Sequence, residues 1–214
     1  MRAFALVAVA CGACATTHLA RPVGRGNLRV SATVGGPLVQ FGAPVPVPIS
    51  TLGAAYGVSD ALDVSAELHP TAAAFGIAGL SGGAAWHPIP GRRAALTLGA
   101  SLGGYFNADD GVMVGDLWAA GGGRVASWLW LGGGVHNGLR LYTTALGEQG
   151  PWAPTLAALA AFTVSRRVTL DLELRWYALA SCGQCLTPDY YAPGGVGALG
   201  VVLGVHYEVP GVVR

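Results

Sequence analysis

Three groups of residues have types and spacings that could support chemistry. Cys182-Gly183-Gln184-Cys185 is a Cys-x-x-Cys pair, and Gly79-Leu80-Ser81-Gly82-Gly83 has the letters of the Gly-x-Ser-x-Gly nucleophile motif. The segment Val168 to Trp176 reads V-T-L-D-L-E-L-R-W, which alternates apolar with polar or charged side chains. These patterns correspond to thiol chemistry, acyl transfer and a row of charges on one face of a strand.

The cysteine pair predicts a disulfide between Cys182 and Cys185. In an oxidising compartment, two cysteines this close in a loop form a local bridge. A redox couple requires a setting such as a helix N-terminus, and a zinc site requires two further ligands. The sequence around the pair predicts a surface loop, so the bridge is the favoured interpretation.

The serine motif supports acyl transfer only where a strained turn joins a strand to a helix. No helix is predicted after Gly83, so we interpret this segment as a strand of small residues and expect no enzymatic activity.

The segment Val168 to Trp176 predicts a strand with two different faces, because side chains alternate sides every second residue. Leu170, Leu172 and Leu174 share one face with the two terminal residues. The opposite face carries Asp171, Glu173 and Arg175, which need water or one another. The class of protein depends on which face meets an apolar surrounding.

The composition favours a membrane. Charged residues make up 11% of the 214 residues and lysine is absent, whereas globular domains average about 25% charged residues. Net charge is +1, which argues against a nucleic-acid partner. The apolar stretches are interrupted by glycine and proline and are therefore poor membrane helices. A closed β-barrel is the other structure that can cross a bilayer.

From residue 27 onward, alternating stretches separated by turns predict ten strands, with eight as an alternative if 112–141 is organised differently. Short and long connections alternate along the chain, and Pro70-Thr71 is the exception because it predicts a tight connection where a long one belongs. A strand is predicted over 73–86 and a turn over 87–92.

Aromatic residues predict two girdles, one at each interface of the bilayer. The predicted short-turn girdle contains Tyr56, Trp86, Trp128 and Tyr207, and the long-loop girdle contains Tyr105, Tyr142, Trp152, Trp176 and Tyr177. Trp118 lies in the middle of a strand and does not fit either girdle. A barrel with its apolar face inward would need a wetted exterior rich in charges, which this chain lacks.

These features resemble those of the small outer-membrane β-barrels of Gram-negative bacteria, and the resemblance covers 27–209. It implies an all-β, closed antiparallel up-and-down barrel in the outer membrane, with the lipid bilayer as its partner. Cys11-Gly12-Ala13-Cys14 also resembles a bacterial lipobox, which implies lipidation of Cys14; ordinary cleavage after Ala15 without a lipid is the alternative. The predicted organisation is a signal peptide (1–13), a polar periplasmic tether (14–26), the barrel (27–209) and a C-terminal tail (210–214).

Ten charged or titratable residues are predicted to line the lumen: Arg29, Asp63, Glu67, His69, Asp116, Asp171, Glu173, Arg175, His206 and Glu208. Closure of the barrel predicts that Arg29 faces Glu208. The charges either fill and rigidify the lumen or line a narrow pore, because ten strands leave little interior space.

The predicted function is a structural or surface-interaction role in the cell envelope. The alternatives are a narrow channel for small polar solutes and a hydrolase at the rim, where His69, Asp109, Asp110 and His136 would gather. Ten-stranded omptin proteases carry acidic residues and a histidine there, but their spacing is not reproduced. We expect no cofactor and no metal, and the sequence indicates no particular small-molecule ligand or oligomeric state.

Overall fold

The computed structural model describes residues 19–40, 43–46, 48–91, 93–144, 152–177 and 197–211. The predicted lipidation site Cys14 and the predicted disulfide of Cys182 and Cys185 lie outside the described residues. Those two assignments therefore stay predictions, as does the signal peptide.

Ten long strands, one short strand and one short helix make up the described chain. In order they are β1 (Leu28–Gln40), β2 (Pro44–Pro46), β3 (Ile49–Ser59), β4 (Leu62–Leu68), α1 (Pro70–Ala74), β5 (Ala78–Pro90), β6 (Ala94–Phe106), β7 (Gly111–Arg124), β8 (Leu129–Thr143), β9 (Trp152–Thr163), β10 (Val168–Tyr177) and β11 (Ala198–Val209). Among the described residues, no helix is long and apolar enough to span a bilayer.

The strands close into a barrel. Each long strand pairs antiparallel with its neighbour, and β1 pairs with β3 on one side and with β11 on the other. The short β2 pairs only with the far end of β1 and extends the wall there. Closure leaves the ten-stranded sheet without an open edge. The predicted ten-stranded barrel is confirmed. The eight-stranded alternative is wrong because β7 and β8 are two separate strands that pair antiparallel along their length, with one register shift between Met113 and Val114.

The apolar residues face outward. On β10, Leu170 and Leu174 are 44% and 47% exposed, whereas Asp171 and Glu173 are 3% and 2% exposed. The same alternation repeats around the barrel, with leucines or valines exposed on every long strand. This outer face matches the lipid-facing band of a transmembrane barrel, so the barrel spans the bacterial outer membrane.

Most connections at the long-loop end are longer than the short turns, although 107–110 is as short as 125–128. The apparent exception at Pro70-Thr71 disappears. Residues 69–77 form a long connection that contains α1 rather than a tight turn followed by a strand from residue 73. Pro70 suits the first turn of a helix because its missing N–H has no partner there in any case. Ala72 and Ile77 pack against Tyr105, which holds the helix over the long-loop end of the barrel.

The turn predicted over 87–92 is also wrong in extent, because β5 continues to Pro90. Its register with β6 shifts between Trp86 and Ile89. His87 follows Gly83 and Ala85 on the inward face of β5 and is buried in the lumen at 2% exposure.

Leu203 tests which face meets lipid. It lies mid-strand on the outer face, 53% exposed, so Leu203→Arg should lower the free energy of unfolding in lipid vesicles by about 2–4 kcal/mol. Val164→Arg is the control, since Val164 is exposed in the turn after β9, and should cost about 0–1 kcal/mol. Equal, small effects would contradict a lipid-embedded outer face.

Candidate functional site in the barrel lumen

Three histidine–aspartate pairs join adjacent strands on the inner face of the barrel. His87 Nε2 lies 2.8 Å from Asp63 Oδ2, His136 Nδ1 lies 2.9 Å from Asp116 Oδ2, and His206 Nε2 lies 3.0 Å from Asp171 Oδ2. All six residues are buried. Each carboxylate thereby gains a partner, which buried charge requires.

The three pairs share one geometry. Directly opposite each aspartate is a small residue, Ala85, Gly138 or Gly204, and the histidine lies two positions beyond it toward the short turns. The small residue leaves space for the carboxylate: a Cβ at Gly204 would lie 1.9 Å from Asp171 Oδ1. The pairs are therefore diagonal cross-strand contacts, a geometry within reach of long side chains.

Two further ion pairs complete the charged interior. Arg29 Nη2 lies 3.2 Å from Glu208 Oε1, as the closure argument predicts. Arg175 Nε donates to Glu173 Oε1, and both side chains are about 2% exposed on the inward face of β10.

Residues 19–23 occupy the short-turn half of the lumen. Leu19 and Ala20 are buried against Trp118, Trp130 and Leu159. The prediction of a polar tether over 14–26 is therefore wrong for its described part. The sequence misses this because five residues with no repeating pattern carry no signal of where they pack.

The same segment accounts for Trp118, which fits neither predicted girdle. Its ring points inward, where it packs against residues 19–20 and against Gly99 of β6. A Cβ at Gly99 would lie 2.1 Å from that ring. Tyr105 and Tyr177 also point inward, at 3% and 5% exposure, so their assignment to a girdle is wrong.

A hydrogen-bonded cluster lies at the long-loop end of the lumen. Ser81 Oγ donates to Glu67 Oε2 at 3.0 Å, and His69 Nε2 lies 3.3 Å from Ser81 Oγ and 3.1 Å from Tyr105 Oη. Thr51 Oγ1 lies 3.4 Å from His69 Nδ1. Of the predicted rim group, only His69 belongs to this cluster. Asp109 and Asp110 lie in the turn after β6, and His136 is buried beside Asp116.

The serine and histidine are close but poorly arranged for acyl transfer. Ser81 directs its proton to Glu67 rather than to the imidazole. Burial lowers the pKa of His69 to about 4, and general bases work best with a pKa near the operating pH. Ser81 also sits inside β5, where backbone N–H groups belong to the sheet ladder and are not free to stabilise an oxyanion.

Cavities lie beside several of the charged pairs in the described part of the chain, and two of them adjoin Glu67. One of about 80 Å³ is bounded by Leu19, Val23 and Asp63, and another of about 60 Å³ reaches Ser81 and Tyr105. Glu67 and Ser65 line both cavities. A third cavity, of about 10 Å³, lies beside His136 and Glu173, so the larger spaces of the described lumen lie on the side of β4 and β5.

Comparisons with known proteins agree with a barrel fold and add no family. No protein-family model matches the chain, and no curated protein matches it. Among solved structures, the KdgM porin is 10% identical with a TM-score of 0.47, and the alignment covers 85% of this chain and 98% of that one. The NanC porin is 10% identical with a TM-score of 0.48, covering 86% and 99%. The translocator domain of the autotransporter NalP from Neisseria meningitidis is 16% identical with a TM-score of 0.42, covering 86% and 88%.

The Glu173–Arg175 pair should be costly to break. Arg175→Met leaves a buried carboxylate without its cation, so we expect a loss of about 3–5 kcal/mol in the free energy of unfolding. The double variant Glu173→Gln with Arg175→Met removes both charges and should recover most of that loss. A double variant as unstable as the single one would contradict a charge-based cost.

His69 should make stability depend on pH. Its pKa in the folded barrel is about 4, below the ordinary value near 6.5, so the unfolded chain binds more protons between these values. The contribution of His69 to stability is therefore present above about pH 6.5 and declines as the pH falls toward 4. His69→Gln should flatten this part of the unfolding curve measured against pH; a constant difference from the parent protein would contradict it.

Proposed function

We propose that this outer-membrane barrel is a closed structural or surface-interaction component of the cell envelope, without enzymatic activity. The observation that carries the proposal is the filled lumen. Paired charges line its wall, and residues 19–23 occupy its short-turn half. Side chains that are paired with one another resist displacement by a passing solute.

The placement of the charges supports a closed interior over an open pore. In the Glu173–Arg175 pair each side chain is neutralised locally and about 2% exposed. A conducting pore instead presents charges to a continuous water path. The His–Asp pairs likewise lie flat between neighbouring strands rather than around a central opening.

Planar-bilayer recording tests this proposal. The full chain, reconstituted alone, should pass no steady current across the accessible voltage range. The KdgM porin reconstituted in the same lipid serves as the conducting control. A steady current from the unmodified chain would contradict the closed state.

A narrow channel for small polar solutes is the second candidate. It is favoured by the two cavities that share Glu67 and Ser65. The same recording separates the candidates, because only the channel passes current without any change to the protein.

A further inference from the structure

We propose that residues 19–23 form a displaceable plug over a narrow cation path, so that unseating them converts the closed barrel into a cation-selective pore. The inference rests on the proposed function in one respect, namely that the unmodified barrel is closed. Its evidence is the way these five residues are held and what lies behind them.

The apolar part of the plug is seated like a core segment. Leu19 and Ala20 are 7% and 2% exposed, and they pack in one cluster with Trp118 and Trp130. These contacts come from side chains of β7 and β8, whereas the plug belongs to no strand. Because the plug contributes no ladder hydrogen bonds, it can leave without breaking the sheet.

The polar part of the plug is held through His87. Thr97 Oγ1 donates to the carbonyl of Ala20 at 2.7 Å, so it must accept from His87 Nδ1, which lies 2.8 Å away. A hydroxyl has only one proton to donate. His87 Nε2 faces Asp63 Oδ2, and that oxygen also accepts from the backbone N–H of Val23 at 2.9 Å.

These bonds form a continuous chain from one end of the plug to the other. Through its two ring nitrogens, His87 links the hydroxyl of Thr97 to the carboxylate of Asp63. His87 thus connects the groups that bind Ala20 and Val23. The His87–Asp63 pair differs from the other two His–Asp pairs because it holds a segment that is not part of any strand.

Behind the plug, the lumen is lined for a small cation. Leu19 and Val23 bound the cavity of about 80 Å³, whose wall carries Asp63, Glu67 and Ser31. Asp63 Oδ1 is buried and makes no hydrogen bond within the described part of the chain. Arg29, His87 and His206 also line this cavity, and each has an acidic partner, namely Glu208, Asp63 and Asp171. Glu67 is therefore the acidic residue of this wall on which the cation preference depends.

The path continues past Glu67 toward the long-loop end. Glu67 and Ser65 also line the second cavity, which adds the hydroxyls of Ser81 and Ser101. Carboxylates attract cations and repel anions, and hydroxyl oxygens can replace part of the hydration shell of a cation. Displacement of the plug would therefore join the cavity of about 80 Å³, which Leu19 and Val23 bound, to the mouth of the barrel at its short-turn end.

The main test variant unseats the plug by a substitution in the plug itself. Ala20→Trp places a side chain too large for a 2% exposed position, and overpacking of this kind forces a segment to move. Arg25→Trp is the matched control, because Arg25 is exposed at the mouth and only its backbone N–H is bonded, to Asp60. Thr97→Val is a second, milder variant that removes the bond to Ala20.

Two readouts are recorded on full-length barrels whose folding is checked by heat-modifiable migration on gels. Elastase, which prefers small side chains, reports release by cutting after Val23, and planar-bilayer recording in a potassium chloride gradient reports conduction. We expect Ala20→Trp to expose Val23 and to pass a steady current whose reversal potential has the sign of a cation preference. Glu67→Gln in that background should move the reversal potential toward zero, while Arg25→Trp stays protected and closed.

Each other outcome contradicts the plug. Release without current means that the segment does not close the lumen, and current with Val23 still protected means that another element does. Protection in both Ala20→Trp and Thr97→Val makes the segment a fixed part of the interior. An unchanged reversal potential in the Glu67→Gln variant would contradict the cation path. A steady current from the unmodified chain would contradict the proposed function as well.

Discussion

The structure depends on one constraint: polar side chains that face into a narrow closed barrel must satisfy one another. Ten strands leave an interior about the size that side chains fill, so bulk water does not solvate the inward charges. Asp63, Asp116 and Asp171 each meet this constraint with a histidine on the next strand. A small residue lies opposite each aspartate, and the histidine lies two positions from that small residue on the same strand. The pairs therefore form without disturbing the hydrogen bonds between the strands.

The high glycine content follows from the same constraint. Large inward side chains need space that a neighbouring Cβ would occupy, as Trp118 does beside Gly99 and Asp171 beside Gly204. Outward positions have no such limit, and leucine and valine fill them because they face lipid. The 34 glycines therefore reflect, in part, how tightly the lumen is packed.

The sequence predicts the strands and their faces well, because a period of two is a local property that needs no knowledge of partners. It predicts Arg29 opposite Glu208 because barrel closure alone brings the first and last strands together. It does not predict the partner of His136, which depends on the register between β7 and β8. It misses His87 because the predicted strand ends at Trp86, whereas β5 continues to Pro90. Residues 19–23 are missed for a different reason: their burial is decided entirely by a cavity that distant strands create.

The plug also couples the interior to closure of the barrel. Arg29 donates to the carbonyls of Arg21 and Pro22 at 3.2 and 3.3 Å while it pairs with Glu208. One guanidinium thus joins the plug to the seam between the first and last strands. The remaining anchors, Asp63, Thr97 and Thr169, lie on β4, β6 and β10. No part of the barrel smaller than the closed ring presents all of these groups together, so the seat forms only when the ring is complete.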